Sequence, residues 1–332
     1  MPSSRIFAFD DPESYQGTIR AAKGVRVMPT TRGHFYAELL QIDLHRLWMQ
    51  HFRESLPRIA EASGDVDRAA ILFPLEGPGF RHRGIDVSPG DIVVEDCDLA
   101  HFLSVAPGRM GAMSLTPTDL AATGHVLVGR ELTVPRLAQI VRPASAHMTR
   151  LLDLHEQAAQ LAQSAPDVLA RSPVARALEE ALIHAMLRCL TEGTIIEMDV
   201  RARCHMAAIS KLEEFLEANC DQPVYLSEIC AATGVSESTL RRCCHEHLGM
   251  GPVRYLWLRR MSLVRAALMR ADPATTTVTD IATDHGFWEL GRFSVEYRTL
   301  FGESPSAALR RPPADRSVAQ NRPFDLPVTD FA

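Results

Sequence analysis

Two arginine-bearing segments stand out in the last third of this 332-residue sequence. One runs Ser236-Glu237-Ser238-Thr239-Leu240-Arg241-Arg242 and on to His245; the other runs Trp288-Glu289-Leu290-Gly291-Arg292 and on to Arg298. Arginine carries a permanent charge on a planar fork of N–H donors, which meets a guanine edge or a phosphate with two parallel hydrogen bonds. Ser, Glu and His beside it supply shorter donors and acceptors suited to other base edges. The candidate nucleic-acid contacts are therefore Ser236, Glu237, Ser238, Arg241, Arg242 and His245 in the first segment. In the second they are Trp288, Glu289, Gly291, Arg292 and Arg298. Arg242 and Arg292 lead as base-edge contacts. Arg241, Ser238, Glu289 and Arg298 follow, some of them to phosphate.

The elements that position these residues follow one grammar used twice. Leu226, Ile229 and Cys230 mark the inner side of a short helix that runs into Gly234. Glycine there accepts the left-handed backbone that turns a chain sharply. Val235 plugs the corner, Ser236 caps a second helix, and Leu240 with Cys243 or Cys244 packs back on the first. Ile281-Ala282, Gly286 and Phe287 repeat helix, glycine and plug, and Phe293, Tyr297 and Leu300 form the inner side of the helix that follows. This is the helix-turn-helix pattern, whose second helix enters the major groove of DNA. From Val253 to Arg270 the connecting stretch has neither Gly nor Pro, and Pro252 suits its start. Its span of roughly 30 Å approaches the separation of successive major grooves on one DNA face, about 34–36 Å. The spacing predicts two reading heads one DNA turn apart on a rigid helix. The apolar side of that helix is Tyr255, Leu256, Leu258, Leu263 and Leu268, with Trp257 packed between the units.

These residues resemble the AraC/XylS family of bacterial transcription regulators. The resemblance rests on Ile281-Ala282, Gly286-Phe287, Gly291-Arg292-Phe293, Tyr297-Arg298 and Phe301-Gly302-Glu303-Ser304-Pro305-Ser306. Leu240-Arg241-Arg242, His247-Leu248-Gly249, Pro252, Tyr255, Leu256 and Arg260 extend it forward, so that it covers about a third of the chain. Cys230, Cys243-Cys244 and Val295 depart from the family pattern. The resemblance implies a cytoplasmic, non-enzymatic regulator of double-stranded DNA, an activator that works with RNA polymerase as a homodimer. It also implies a cupin-like front module that takes a small-molecule effector, and no cofactor.

Residues 1–130 read as mostly β: short apolar runs at Val25–Met28, His34–Ile42, Ala69–Leu75, Asp91–Val94 and Ala100–Val105 are separated by Gly- and Pro-containing turns. An early helix is expected over Asp11–Ala22. Helical periodicity then predicts a hairpin over 131–200, from Pro135–Gln163 and Pro173–Thr191, as a packing and dimerisation element. The expected class is α+β: a β-rich cupin-like module with a helical hairpin, then an all-α DNA-binding domain with two helix-turn-helix units over 203–311. Residues 312–332, rich in Pro, Asp and Ser, are expected to be disordered.

Other chemistries find less support. A metal-dependent cupin enzyme fused to a DNA-binding domain would need convergent ligands. Yet His34, His45, His51, His82, His101 and His125 form no H-x-H pair, and no metal or catalytic residue is expected. A thiol switch at Cys243 or Cys244, beside Arg241 and Arg242, is the other alternative. The seven cysteines contain no C-x-x-C pair. No apolar run is long enough to span a membrane, and the N-terminal residues lack a secretory pattern. The net charge of −6 arises within residues 1–200, whereas 201–332 are balanced. Any DNA surface must therefore be a local arginine cluster.

Overall fold

The computed structural model describes residues 2–20, 22–63, 67–95, 100–129, 131–133, 138–196, 200–219 and 224–311. In chain order the front holds β1 (Ser3–Phe9), α1 (Pro12–Gln16), β2 (Lys23–Pro29), β3 (Ala37–Asp43), β4 (Trp48–Glu54), β5 (Arg58–Ser63) and β6 (Ala69–Glu76). There follow β7 (Phe80–His82), β8 (Ile85–Val87), β9 (Ile92–Glu95), β10 (Ala100–Ser104), β11 (Gly108–Leu115), α2 (Pro117–Val128) and β12 (Gln139–Arg142). The hairpin is α3 (Ser145–Ser164), α4 (Pro166–Leu169) and α5 (Ser172–Glu192), closed by β13 (Thr194–Ile196). The helical part comprises α6 (Val200–Ala218), α7 (Leu226–Thr233), α8 (Glu237–Leu248), α9 (Pro252–Arg270), α10 (Val278–Asp284), α11 (Leu290–Phe301) and α12 (Pro305–Arg310).

The strands form two antiparallel sheets, ordered β1-β3-β4-β11-β6-β9-β12-β13 and β2-β5-β10-β7-β8. Side chains alternate across a strand, and here both faces of each sheet are buried. Leu39, Val93 and Ala112 of the large sheet meet Val27, Ala60 and Phe102 of the small one in the core between them. Their chain neighbours Leu40, Ile92, Val94 and Met113 point the other way, under α3 and α5. The neighbours on the small sheet, Met28, Ile59 and Leu103, join the core of the helical part. Three apolar layers thus stack hairpin, sandwich and helical domain in that order.

Three local expectations need correction. The early helix starts as read, with Asp11 accepting from Ser14 N (2.7 Å), but ends at Gln16, one turn on. Residues 117–128, inside the stretch read as β, form α2, capped by Thr116 and ended by Gly129 in the left-handed region. The first hairpin helix begins at Ser145: Gln139–Arg142 is a strand pairing with β9 and β13. The β-branched Ile140-Val141 suit a strand, and Pro143 bars a helix from running through. Leu137 lies outside the described residues, as do Cys97, Cys220 and the tail from 312. On α5, buried Glu179 accepts from the backbone N–H of Arg46 (2.5 Å) and Leu47 (2.9 Å), which fixes the hairpin to the β3–β4 turn.

The front module and the helical domain meet through buried charge. Arg259 of α9 donates to Glu61 of β5 (3.2 Å), Glu213 of α6 (3.0 Å) and Glu217 (2.8 Å). The Tyr255 hydroxyl lies against both Glu61 and Glu213, and Arg26 donates to Glu61 at 2.8 Å. Arg265 pairs with Glu13 of the front module (2.9 Å) and with Glu303 (2.8 Å). Two glycines permit the close approach. A Cβ on Gly84 would stand 2.7 Å from the His247 ring, and one on Gly249 would stand 2.8 Å from Leu103.

Candidate nucleic-acid interface

Both units form as their local chemistry dictates. Gly234 ends α7 at φ 72°, Ser236 caps α8 by accepting from Thr239 N (3.3 Å), and α8 buries Leu240, Cys243, Cys244, His247 and Leu248. Ser236, Glu237, Ser238, Arg241, Arg242 and His245 are left exposed. In the second unit Thr277 and Asp280 cap α10 reciprocally, Gly286 turns the chain at φ 77°, and Phe287 plugs the corner 5.0 Å from the Phe293 ring. Helix α11 buries Phe293, Tyr297 and Leu300 and leaves Gly291, Arg292 and Arg298 exposed, as are Trp288 and Glu289 just before it. Trp288, 76% exposed, is the more conspicuous for being apolar.

The two second helices open onto one cleft of about 760 Å³. Arg241 and His245 line it from α8, and Arg292, Val295, Glu296 and Thr299 line it from α11. Its floor is the first half of α9, with Pro252, Val253, Arg254, Trp257 and Arg260. Arg241, His245 and Arg292 are thereby brought together. The other eight sequence candidates stand on exposed surface outside the cleft lining.

Within each helix the arginines divide by role. Arg241 is held by Glu237 one turn back, and Arg292 donates to Glu296 at 2.8 Å. Glu296 also accepts from Trp257 Nε1 at 3.0 Å, which ties α11 to α9, and the Arg292 hydrogen bond holds its carboxyl below the ordinary range. Arg242 lies opposite the buried stripe of α8 and forms no ion pair among the described residues. It is the freer of the two leading arginines. Sequence reasoning missed Arg254 and Arg260, which stack over Trp257 (4.4 Å) and Phe287 (5.2 Å). Their positions on the connecting helix are the available signal, beside the spacing and packing roles that the sequence assigns to it.

The competing chemistries meet specific obstacles. Cys243 and Cys244 are buried free thiols. Burial pushes both up, Cys244 to about 12, so neither is activated as a thiolate despite the nearby arginines. Among the β-region histidines, His34, His45 and His125 are exposed, and His51 stacks on His155 of α3 with its Nε2 2.6 Å from His155 Nδ1. Glu61, His101 and Glu213 bring three metal-capable atoms within 4.8 Å of one another. Both carboxylates are already engaged by Arg259 and Tyr255, so this donor set reads as a salt-bridge cluster. Among the described residues no helix is long and apolar enough to cross a membrane.

Comparison with known proteins agrees with this geometry. Residues 229–311 match a family described as a helix-turn-helix domain. A probable thc operon regulatory protein of Rhodococcus erythropolis is 39% identical over 150 residues, 43% of this chain and 45% of that protein. XylDLEGF operon transcriptional activator 3 of Pseudomonas putida is 33% identical over 104 residues, 31% of each chain. A solved structure, a probable AraC family transcriptional regulator from Rhodopseudomonas palustris, is 34% identical over 32% of this chain and 98% of its own, with a TM-score of 0.29. The chain spans less than half the length of the two curated relatives. The helix-turn-helix part of this chain is thus similar to that of AraC/XylS-type transcription regulators.

Proposed function

We propose that the whole chain is a sequence-specific transcription regulator, an activator that engages RNA polymerase from a two-part DNA site. The observation that carries the reading is the pair of second helices facing one arginine-lined cleft across the 19-residue α9. One polypeptide would then place α8 and α11 in successive major grooves. Arg242 reads a base edge from α8, with Ser236, Glu237 and Ser238 beside it. Trp288 and Glu289 before α11, and the outward Gly291 and Arg298 on it, meet the second box. Arg241, His245 and Arg292 look into the cleft and meet backbone. Residues 203–311 are the DNA-binding unit in this reading, and no step of it is enzymatic. Selection from random duplexes with the full chain tests it. The expected product is two short boxes about ten base pairs apart, and recovery of no motif would sink the proposal.

The front residues 1–130 serve as the effector module. A cavity of about 380 Å³ lies between it and the helical domain, lined by Phe35, Leu56 and His34 on one side and Leu300, Phe301 and Arg265 on the other. A small molecule seated there touches both modules, so it binds their docked and undocked arrangements unequally and shifts the balance between them. Reciprocity requires that a compound that changes DNA affinity through this cavity have its own affinity changed by DNA by the same factor. Residues 131–200 provide the dimer surface in this scheme, through the outward Arg150, Asp153, His184 and Arg188 of the hairpin. Light-scattering mass of the full chain checks it, and a monomer at high concentration rules it out.

A further inference from the structure

The cleft between the reading heads has one wall that the helical domain does not supply. Arg32, on the loop between β2 and β3 of the front module, lines the same space as Arg254 and Arg260 of α9, Arg241 of α8 and Arg292 of α11. Arg241 and Arg292 each have a carboxylate partner on their own helix. Arg32, Arg254 and Arg260 form no ion pair among the described residues, and Arg260 Nε is buried without a hydrogen-bond partner. Glu296 is the single carboxylate in the lining, and Arg292 and Trp257 already occupy it. Glu237 and Glu296 offset two of the five guanidinium groups, and the remaining three, of Arg32, Arg254 and Arg260, repel one another. In a chain of net charge −6, such a concentration calls for an anion from outside.

The fold identifies that anion. When α8 and α11 enter successive major grooves, the phosphate backbone between those grooves passes over the cleft. The loop that carries Arg32 is fixed at both ends: Thr30 N donates to Pro57 O (2.9 Å) and Tyr36 N donates to Ser55 Oγ (2.8 Å). Arg32 itself is exposed and held at the rim. We propose that Arg32 makes the front module part of the DNA-binding surface, where with Arg254 and Arg260 it receives the phosphate backbone between the two boxes. The inference rests on the DNA-binding reading above. It gives the front module a direct hold on DNA affinity, since any change in how the modules dock moves a phosphate-binding cation.

Salt-dependent binding of the full chain tests this, with two probes: a mixed-sequence duplex of about 40 base pairs and a duplex recovered by selection. Wild type must first bind; no binding to either probe would overturn the DNA-binding reading itself. Given binding, Arg32→Ala is expected to weaken both probes by a similar factor of about 3 to 10. It should also lower the slope of log affinity against log salt by about one. Arg32→Lys should keep the slope, and Arg32→Glu should weaken both probes further. Because Arg32 is exposed and unpaired, these variants should keep the wild-type Tm. Unchanged affinity and slope in Arg32→Ala would overturn the inference. So would tighter binding, which would make the loop a shield over the cleft, or a loss confined to the selected duplex, which would make Arg32 a base contact.

Discussion

At the scale of residues, what separates the candidates is where a helical position faces and what already holds it. Arg242 points away from the α8 core without a partner, whereas Arg292 is anchored by Glu296 on the cleft side of α11. Arg242→Ala should therefore relax base preference in one box, by about 1–3 kcal/mol of discrimination. Arg292→Ala should weaken all duplexes alike, and competition binding against single-base variants separates the two patterns. The exposed faces were legible because glycine, cap and apolar spacing are local signals. The hydrogen bond from Trp257 to Glu296 was not, since it depends on how α11 meets α9. Buried histidines add a pH signature. Burial and the neighbouring His101 and His205 push His247 down to about 4, against the opposing pull of Glu246, and burial pushes His155 down to about 3. Both lie below the usual value near 6.5, so between these limits the unfolded chain binds protons that the native chain refuses. Their contribution to stability is complete above about pH 6.5 and is lost as pH falls toward about 4 for His247 and about 3 for His155. From about pH 7.5 to about pH 5, His247 alone should cost about 2 kcal/mol. Urea unfolding should show a shallower fall in His247→Gln, and an equally steep fall would assign the effect elsewhere.

Among the elements, α9 departs most from its sequence reading. Its apolar side was legible, and Tyr255, Leu258 and Leu268 are fully buried, with Leu256 and Leu263 half-buried. Arg259 and Arg265 are charged, yet only 2% and 3% of their surface is exposed, because the front module covers them. Nothing local announces a partner almost two hundred residues away, such as Glu61 for Arg259. Strand β12 was hidden in part by the same limit, since it pairs with β9, although Pro143 was a local sign against a continuous helix there. Helix α9 is thus both the spacer between reading heads and the seam between modules. Arg259→Met keeps the volume but leaves Glu61 and Glu213 without their shared cation. It should destabilise the chain by about 3–5 kcal/mol in urea unfolding. Adding Glu61→Gln should recover part of that loss, and strictly additive losses would show that the cluster does not act as a unit.

At the scale of the whole molecule, three apolar layers join hairpin, sandwich and helical domain, with the arginine cleft open on the helical side. Much of the architecture was legible from the order of periodicities: alternation in front, helical spacing behind, and two glycine-turned units joined by an unbroken helix. The docking of the modules was not, because Gly84, Gly249 and the buried ion pairs act only across the seam. The central claim is that α9 holds two heads at a fixed separation and a fixed rotation about the DNA axis. The direct measurement is the affinity of the unmodified chain for its selected two-box duplex, compared with duplexes whose spacer is lengthened one base pair at a time. Adding about five base pairs turns the second box to the opposite face of the DNA. Affinity is predicted to fall there to that of a duplex carrying one box alone, and to stay low when about ten base pairs are added, because a helix of roughly 28 Å cannot reach another full turn. Affinity indifferent to spacer length would contradict the claim and leave the two heads as independent binders.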